Sequence, residues 1–397
     1  MLKQLFNKEQ ILKALTTKDI WRWKILDQYG NAESAAEAIV RNWNVNGLSI
    51  KGLDVKIIKG KKVYIPESLE DALAIRLVDR YLRRIYKVRQ SDRSRMIKQV
   101  ITLLQDPGSF TFIRLDISQC YESIIFEVVL NKLRKDLILS PDCINILESI
   151  GSIAQAQGNS GLLRGLSISA TLAELYLEKL DKEISNNKNI TYMARYVDDI
   201  IIFIPDVYAA QANDDIDSAL EMLDLISNKD KSSSYKVDVV NESIELLGYS
   251  LSSSSSISKS SKKKNPNLVT VKISKRKLNK IKTRIVLSFL EYKKDQNFKI
   301  LKDRIYFLST LSVVKKGRNG DLLAGNAYNY FHASDSDCLK KIDGFYFKTL
   351  QELRFNLSSA QQSDLKKISF YGNAKNNKIM KVTKNKTIRL KQAWINE

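Results

Sequence analysis

The sequence predicts an α+β fold in which a small antiparallel sheet carries the chemistry and helices surround it. Three observations lead there. ITYMARYVDDIIIFIP, from Ile190 to Pro205, places β-branched and aromatic runs on both sides of adjacent carboxylates, Asp198 and Asp199, and reads as a tight hairpin with both acids at its turn. FTFIRLDI, from Phe110 to Ile117, reads as a buried strand with Asp116 near its end. Around these runs, apolar residues recur at helical spacing over long stretches.

Composition narrows the function. At 397 residues the chain can bury a substantial core and divide into two or three subdomains. Its 65 lysines and arginines against 44 acids give +21, which points to a polyanionic partner, nucleic acid before an anionic membrane surface. No basic amphipathic helix is flanked by an apolar anchor, and no run of 18 or more apolar residues is present to span a bilayer. The start MLKQLFNKEQILKAL reads as an ordinary amphipathic helix rather than a signal peptide, so the expectation is a soluble, intracellular protein. Cys120, Cys143 and Cys338 match no zinc or CxxC spacing and are read as packing residues in a reducing compartment. A single histidine, His332, leaves little basis for a histidine triad or a His-ligated zinc, so carboxylates are expected to carry the chemistry.

In chain order, Leu2 to about Trp43 is helical in pattern. A short β region follows, with KGKK at 59–62 as a basic hairpin tip and Pro66 ending the second strand. Ser68 to Leu104 reads as a long arginine-dense helical stretch, one face packed and the other either solvated or set against phosphates. After the Phe110 strand, helices are expected over Tyr121–Leu139 and Pro141–Ala156. GNSGLLRG at 158–165 forms a glycine-containing loop opening onto a helix from Ser167. Past the Asp198 hairpin come an amphipathic helix over Asp214–Ser227 and a strand over Glu242–Leu251. Ser252 to Lys264 is low complexity, read as a mobile basic loop, and Leu268–Ile273 is expected to pair back with the preceding strand. From Lys275 to Val314 the chain is helical and lysine-rich, and further helices and a basic tail run to Glu397.

Two like charges beside Tyr196 and the Ile200–Phe203 run would repel and pay a desolvation cost unless a cation neutralised them. A divalent ion suits carboxylate oxygens and leaves positions for substrate phosphates. The alternative is a surface turn that carries Asp-Asp without function. If the Asp116 strand neighbours the hairpin, three carboxylates converge at one sheet edge, a cluster suited to two metal ions and in-line phosphoryl displacement.

The order of these parts resembles a reverse transcriptase. LDISQCYESI (Leu115–Ile124), GLLRGLSISATLAELYL (Gly161–Leu177), YVDD (Tyr196–Asp199) and the stretch from Lys231 to Tyr249 ending in ELLGY carry the resemblance, over roughly Phe110 to Leu251. Where many retroviral, intron and retron enzymes have Pro-Gln-Gly, this chain has Leu163-Arg164-Gly165. That variant looks like the bacterial reverse transcriptases of the abortive-infection and phage-defence groups.

The resemblance implies a right-hand polymerase with an antiparallel palm sheet and mostly helical fingers and thumb. It divides the chain into an N-terminal helical region with fingers (1–109), fingers and palm with the catalytic motifs (110–251), the Ser/Lys-rich loop (252–266), and primer-grip strand, thumb and C-terminal region (267–397). It also implies two Mg²⁺ ions, with Mn²⁺ as a substitute, held by Asp116, Asp198, Asp199 and the Ile117 backbone carbonyl. Tyr121, five residues after Asp116, matches the family's steric gate against a ribose 2′-OH; the alternative is a core aromatic at a strand-to-helix junction. Arg164 and Gly165 are nucleotide-binding candidates, although Arg164 can equally neutralise a local carboxylate. Arg76, Arg93 and Arg95 are candidates for the triphosphate. Lys231 matches the lysine that protonates pyrophosphate, with Lys229 two residues away as its rival. KRKLNKIK from Lys275 fits a thumb helix against a duplex. The expected activity is RNA-directed DNA synthesis from dNTPs in the bacterial cytoplasm, in antiphage defence. The expected partners are an RNA template, in the form of a dedicated structured noncoding RNA, the DNA product, and a companion protein or second copy of the chain, with no membrane. Untemplated or protein-primed synthesis, and a catalytically silent RNA-binding module, are the alternatives.

Overall fold

Asparagine and serine caps cut the helical patterns into shorter pieces than their periodicity alone predicts. The computed structural model describes residues 3–58, 60–89, 91–106, 108–230, 232–236, 243–254, 268–315, 322–325, 328, 331–334, 337–352 and 356–394. The chain forms two compact units, residues 1–92 with 109–236, and residues 93–108 with 237–397.

In the first unit the N-terminal pattern becomes α1 (Lys8–Ala14), α2 (Thr17–Arg22), α3 (Ile25–Tyr29) and α4 (Ala32–Asn46). The Asn7 and Asn31 side chains accept hydrogen bonds from Gln10 N and Ser34 N and so start α1 and α4, satisfying amides that have no partner within the helix. Strands β1 (Leu53–Ile58) and β2 (Lys61–Pro66) pair antiparallel, with Ile58 opposite Lys61 next to the basic tip. Helix α5 (Leu69–Ile85) starts at the Ser68 cap and stops well before Leu104. The remainder of that expected helix is a separate one, α6 (Arg93–Leu104), and belongs to the second unit. A left-handed residue, Lys87 at φ 52°, lies in the break.

Strand β3 (Phe110–Asp116) is followed by α7 (Cys120–Ser123), α8 (Phe126–Asp136), α9 (Pro141–Ala156) and α10 (Ser167–Asn186). The helix expected over Tyr121–Leu139 is split because Ile125 leaves it to bridge Gly161, and the Phe126 amide donates to the Ser160 carbonyl. Strands β4 (Tyr192–Tyr196) and β5 (Asp199–Pro205) then form the expected hairpin. Helix α11 (Ala209–Glu221) lies earlier than the expected Asp214–Ser227, and β6 (Ser233–Lys236) completes an antiparallel sheet of order β4-β5-β3-β6.

The two sheet faces are filled differently. Ile113, Leu115, Ile200, Ile202 and Ile204 join the helices in the main core. On the other face Phe112 packs edge-on against Phe203 at 5.1 Å, with Tyr192 and Tyr235 alongside. Residues 200–204 of the inner strand β5 are therefore buried on both faces.

In the second unit, β7 (Ile244–Leu246), β8 (Tyr249–Ser254) and β9 (Leu268–Ile273) form an antiparallel sheet, so the run expected as one strand over Glu242–Leu251 is a hairpin about Leu247-Gly248. The pairing of β8 with β9 matches expectation. Residues 255–267, most of the Ser/Lys-rich stretch, lie outside the described residues. Helix α12 (Lys275–Asp295) packs with α13 (Phe298–Ser309) and with the helix Asp337–Glu352, Phe289 stacking on Tyr346. The expected helical run to Val314 ends at Ser309, because the β-branched LSVVK forms β10 (Leu311–Lys315) between β11 (Leu322–Ala324) and β12 (Ile379–Met380). No described helix is long and apolar enough to cross a membrane.

Candidate active site

Register brings the acids together. Asp116, the last residue of β3, sits directly opposite Asp199, the first of β5. Strand alternation puts Phe112, Arg114 and Asp116 on the same face as Asp199, Ile201 and Phe203. Tyr196 pairs with Asp199, which leaves Val197-Asp198 as a two-residue turn. Val197 adopts φ 62°, a left-handed conformation that a β-branched residue rarely tolerates, so the turn is strained at the residue next to Asp198.

Main-chain bonds fix the strand ends. The Asp116 amide donates to Ser232 Oγ at 3.2 Å, and its carbonyl accepts from the Asn228 amide at 2.7 Å. The Ile117 amide donates to the Asp198 carbonyl at 3.3 Å, and Ser118 and Asp116 take up the bonds to the Ser227 side. In extended backbone a residue's amide and carbonyl point the same way, so the Ile117 carbonyl turns toward the hairpin.

Two arginines inside apolar strands brace the acids. Arg114 Nε and Nη2 hold Asp199 Oδ1 at 3.1 and 2.8 Å. Arg195, 8% exposed, donates Nη1 to the carbonyl of strained Val197 at 3.0 Å, and its other nitrogens bind Asp181 and Glu174 at 2.7 Å. Burial opposes the Arg195 charge, but the bonds to Asp181 and Glu174 outweigh it and raise its pKa above the usual arginine value.

Beside the acids, Arg164 and Glu122 form a two-bond ion pair, Nε–Oε1 and Nη2–Oε2 both at 3.1 Å. The Arg164 guanidinium lies 5.1 Å from the centre of the Tyr121 ring. Burial pushes the Tyr121 hydroxyl above its usual range, with Cys120 and Asp198 adding to it and Arg164 opposing. Burial, then the Asp198 charge, pushes the Cys120 thiol up to about 12, which makes it a packing group. Gly60, Lys61, Lys62, Tyr64, Gln119, Asn159 and Arg164 line a cavity of about 310 Å³ with Glu122 in its wall. Three cations against one acid suit an anionic ligand.

The other predicted residues are placed as follows. Arg76 binds Asp19, at 2.8 and 3.1 Å, and donates to the Ala14 carbonyl. Arg93 and Arg95 belong to the second unit, where Arg93 donates to the Leu247 carbonyl. Gly165 has φ 106°, and a Cβ there would lie 2.6 Å from the Tyr64 carbonyl oxygen, so it is glycine for close approach to β2. Lys231 lies outside the described residues. Of the open alternatives for Arg164, neutralising a carboxylate is the one observed.

Among the described residues no three acid, cysteine or histidine side chains are close enough to cage a metal, and Arg114 takes up Asp199. Asp116, Asp198 and the Ile117 carbonyl are all oxygen donors, the donor chemistry that suits Mg²⁺, which binds through one or two carboxylates and completes its shell with water and substrate phosphates. Sequence reasoning missed Arg114, Arg195, Glu122, Lys61 and Lys62 as site residues. A charge inside an apolar strand was the available signal for the first two, and the basic hairpin tip for the lysines.

A four-stranded antiparallel sheet carries acids at one end, backed by helices and flanked by a cation-lined cavity, the arrangement expected of the palm of a right-hand polymerase. Residues 69–251 match the family described as reverse transcriptase (RNA-dependent DNA polymerase). No curated protein matches the chain. Similar solved structures include an apo telomerase from Candida tropicalis truncated from its C-terminal domain (12% identity, 55% of this chain and 59% of that one, TM-score 0.37). Two others are telomerases in complex with the TWJ fragment of telomeric RNA. The one from Candida tropicalis has 11% identity, covers 86% and 63%, and has a TM-score of 0.38; the one from Candida albicans has 13%, 81% and 56%, and 0.34. The chain spans less than two thirds of each.

Proposed function

We propose that the chain copies RNA into DNA from dNTPs. The in-register pairing of Asp116 with Asp199, beside the braced Val197-Asp198 turn, carries this reading. Asp116, Asp198 and the Ile117 carbonyl would hold two divalent ions, with Asp199 assisting through its ion pair with Arg114. Bound Mg²⁺ supplies charge stabilisation for the attacking and leaving oxygens. Lys61 and Lys62 present positive charge to the triphosphate in the 310 Å³ cavity. Tyr121 lies under the sugar and excludes a 2′-OH, and Lys231 gives a proton to the departing pyrophosphate. Residues 110–251 act as fingers and palm, and 267–397 as primer grip, thumb and C-terminal region.

The Leu163-Arg164-Gly165 variant supports a place among bacterial defence-associated reverse transcriptases, acting in the cytoplasm with a dedicated noncoding RNA and a companion protein or second copy. Extension of a DNA primer on an RNA template with dNTPs and Mg²⁺ tests the activity. Asp198→Ala should reduce extension to background, and full activity in that variant would sink the metal assignment. Product that ignores the template sequence, or stays bound to denatured protein, would replace templated synthesis with the untemplated or protein-primed reading. RNA binding without synthesis would leave a silent RNA-binding module.

A further inference from the structure

We propose that the Glu122–Arg164 ion pair fixes the Tyr121 ring and thereby sets the discrimination between deoxyribonucleotides and ribonucleotides, an inference that rests on the polymerase reading above. Rejecting a substrate for one added hydroxyl is difficult for a yielding pocket, which can shift by a few tenths of an ångström and admit it. The gate must be stiff. Tyr121 has no hydrogen bond to its hydroxyl among the described residues, so the ring is held by its face and by the backbone.

Both holds lead to the loop at 158–166. The Tyr121 carbonyl accepts from the Leu162 amide at 2.8 Å. The Arg164 guanidinium covers the ring at 5.1 Å, and Glu122, the next residue after Tyr121, grips that guanidinium with both carboxylate oxygens. A two-point pair fixes orientation as well as distance. The loop has little freedom to retreat. A Cβ on Gly161 would lie 2.3 Å from the Glu122 carbonyl oxygen, so the loop rests directly on α7. On its other side the Tyr64 amide donates to the Arg164 carbonyl at 2.7 Å, tying the loop to β2. The arginine that clamps the ring is thus anchored at its own main chain, and its partner stands on the same turn of helix as the ring. Glu122 and Arg164 are positioning residues for Tyr121, and the pair spans the wall of the cavity that would receive the nucleotide.

Single-nucleotide incorporation on an RNA template, measured as kcat/KM for a dNTP and for the matching rNTP, tests this in the full chain. Glu122→Gln keeps shape and removes the charge; Arg164→Lys keeps charge and removes the planar fork. Each should lower the dNTP-to-rNTP ratio roughly tenfold, the scale of a desolvated cation–ring contact, with most of the change arising from faster rNTP use. The double variant should fall no further than either single one, because one device has been broken twice. A role confined to folding would slow both nucleotides alike and leave the ratio intact. A ratio within about twofold of wild type in either folded variant, or losses that add in the double variant, overturns the proposal. Wild-type protein that incorporates no dNTP overturns the polymerase reading instead. If Glu122→Gln fails to fold, Arg164→Lys alone decides the outcome.

Discussion

Two of the hairpins in the molecule, both with two-residue turns, have those turns held in different ways. In one, Tyr196 faces Asp199 across Val197-Asp198; in the other, Leu246 faces Tyr249 across Leu247-Gly248. Each has an arginine donating to the carbonyl of its first turn residue, Arg195 to Val197 and Arg93 to Leu247. The glycine turn has both residues at positive φ, Leu247 at 47° and Gly248 at 88°, a combination that suits strand twist; glycine takes the second position at little cost, and the first falls to a leucine, unbranched at Cβ, rather than a valine. The acidic turn has a valine at 62°. Its arginine comes from the hairpin itself and is buried between two carboxylates, whereas Arg93 comes from α6 and also lies over the Tyr249 ring at 5.2 Å. The acidic turn therefore keeps its strain through a buried ionic brace, and the glycine turn needs less help.

This contrast can be broken in order of expected effect. Arg195→Met leaves Glu174 and Asp181 facing each other without their cation and should cost about 3–5 kcal/mol in urea unfolding, with a matching fall in primer extension. A loss below about 1 kcal/mol would mean that the brace is dispensable. Arg93→Met removes charged donors from one carbonyl and should cost about 1.5–3 kcal/mol; a cost equal to that of Arg195→Met would erase the distinction. For Gly248→Ala the expected cost is about 1 kcal/mol. The added Cβ meets Lys277 Cε at 3.0 Å, and that flexible side chain can swing aside. Val197→Gly should change stability by no more than about 1 kcal/mol, strain relief offsetting lost order, while slowing nucleotide addition. Faster addition would show that the strain has no part in placing Asp198.

The smallest effect concerns pH. Burial raises the Glu122 carboxyl, but the Arg164 bonds and charge outweigh it and hold it below the ordinary glutamate value. The pair is then fully formed above that ordinary value, about 4.3, and is lost only as pH falls through the lower folded one. Sugar selectivity measured between roughly pH 6 and 8 should stay flat; a decline within that window would contradict the ionised pair.

Much of this was legible in the sequence, because the signals were local. Proline at the start of α9 and the apolar runs of β3 and β5 fix those elements with little reference to the rest of the chain. The in-register acids follow from alternation once β3 and β5 are neighbours. The misreadings occurred where distant contacts overrule local preference. Leu247-Gly248 is a turn inside an apolar run, with one glycine as its only mark. Ile125 leaves a helical pattern to meet Gly161. Arg114 and Arg195 were hidden because their partners lie on other elements, and only the register shows which carboxylate each one faces.

The placement of α6 bears on the order of synthesis. Residues 93–108 leave the ribosome ahead of β3 yet pack with a unit that resumes only at residue 237. Arg93 cannot meet Leu247, nor can the Leu104 carbonyl accept from Ser253, until nearly two thirds of the chain has been made. During that interval α6, whose Met96, Ile97, Val100 and Leu104 are buried in the finished fold, lacks the contacts that Leu247 and Ser253 supply. A nascent chain in this state is a natural client for holding chaperones, and a fragment beginning at residue 237 would lack the helix altogether.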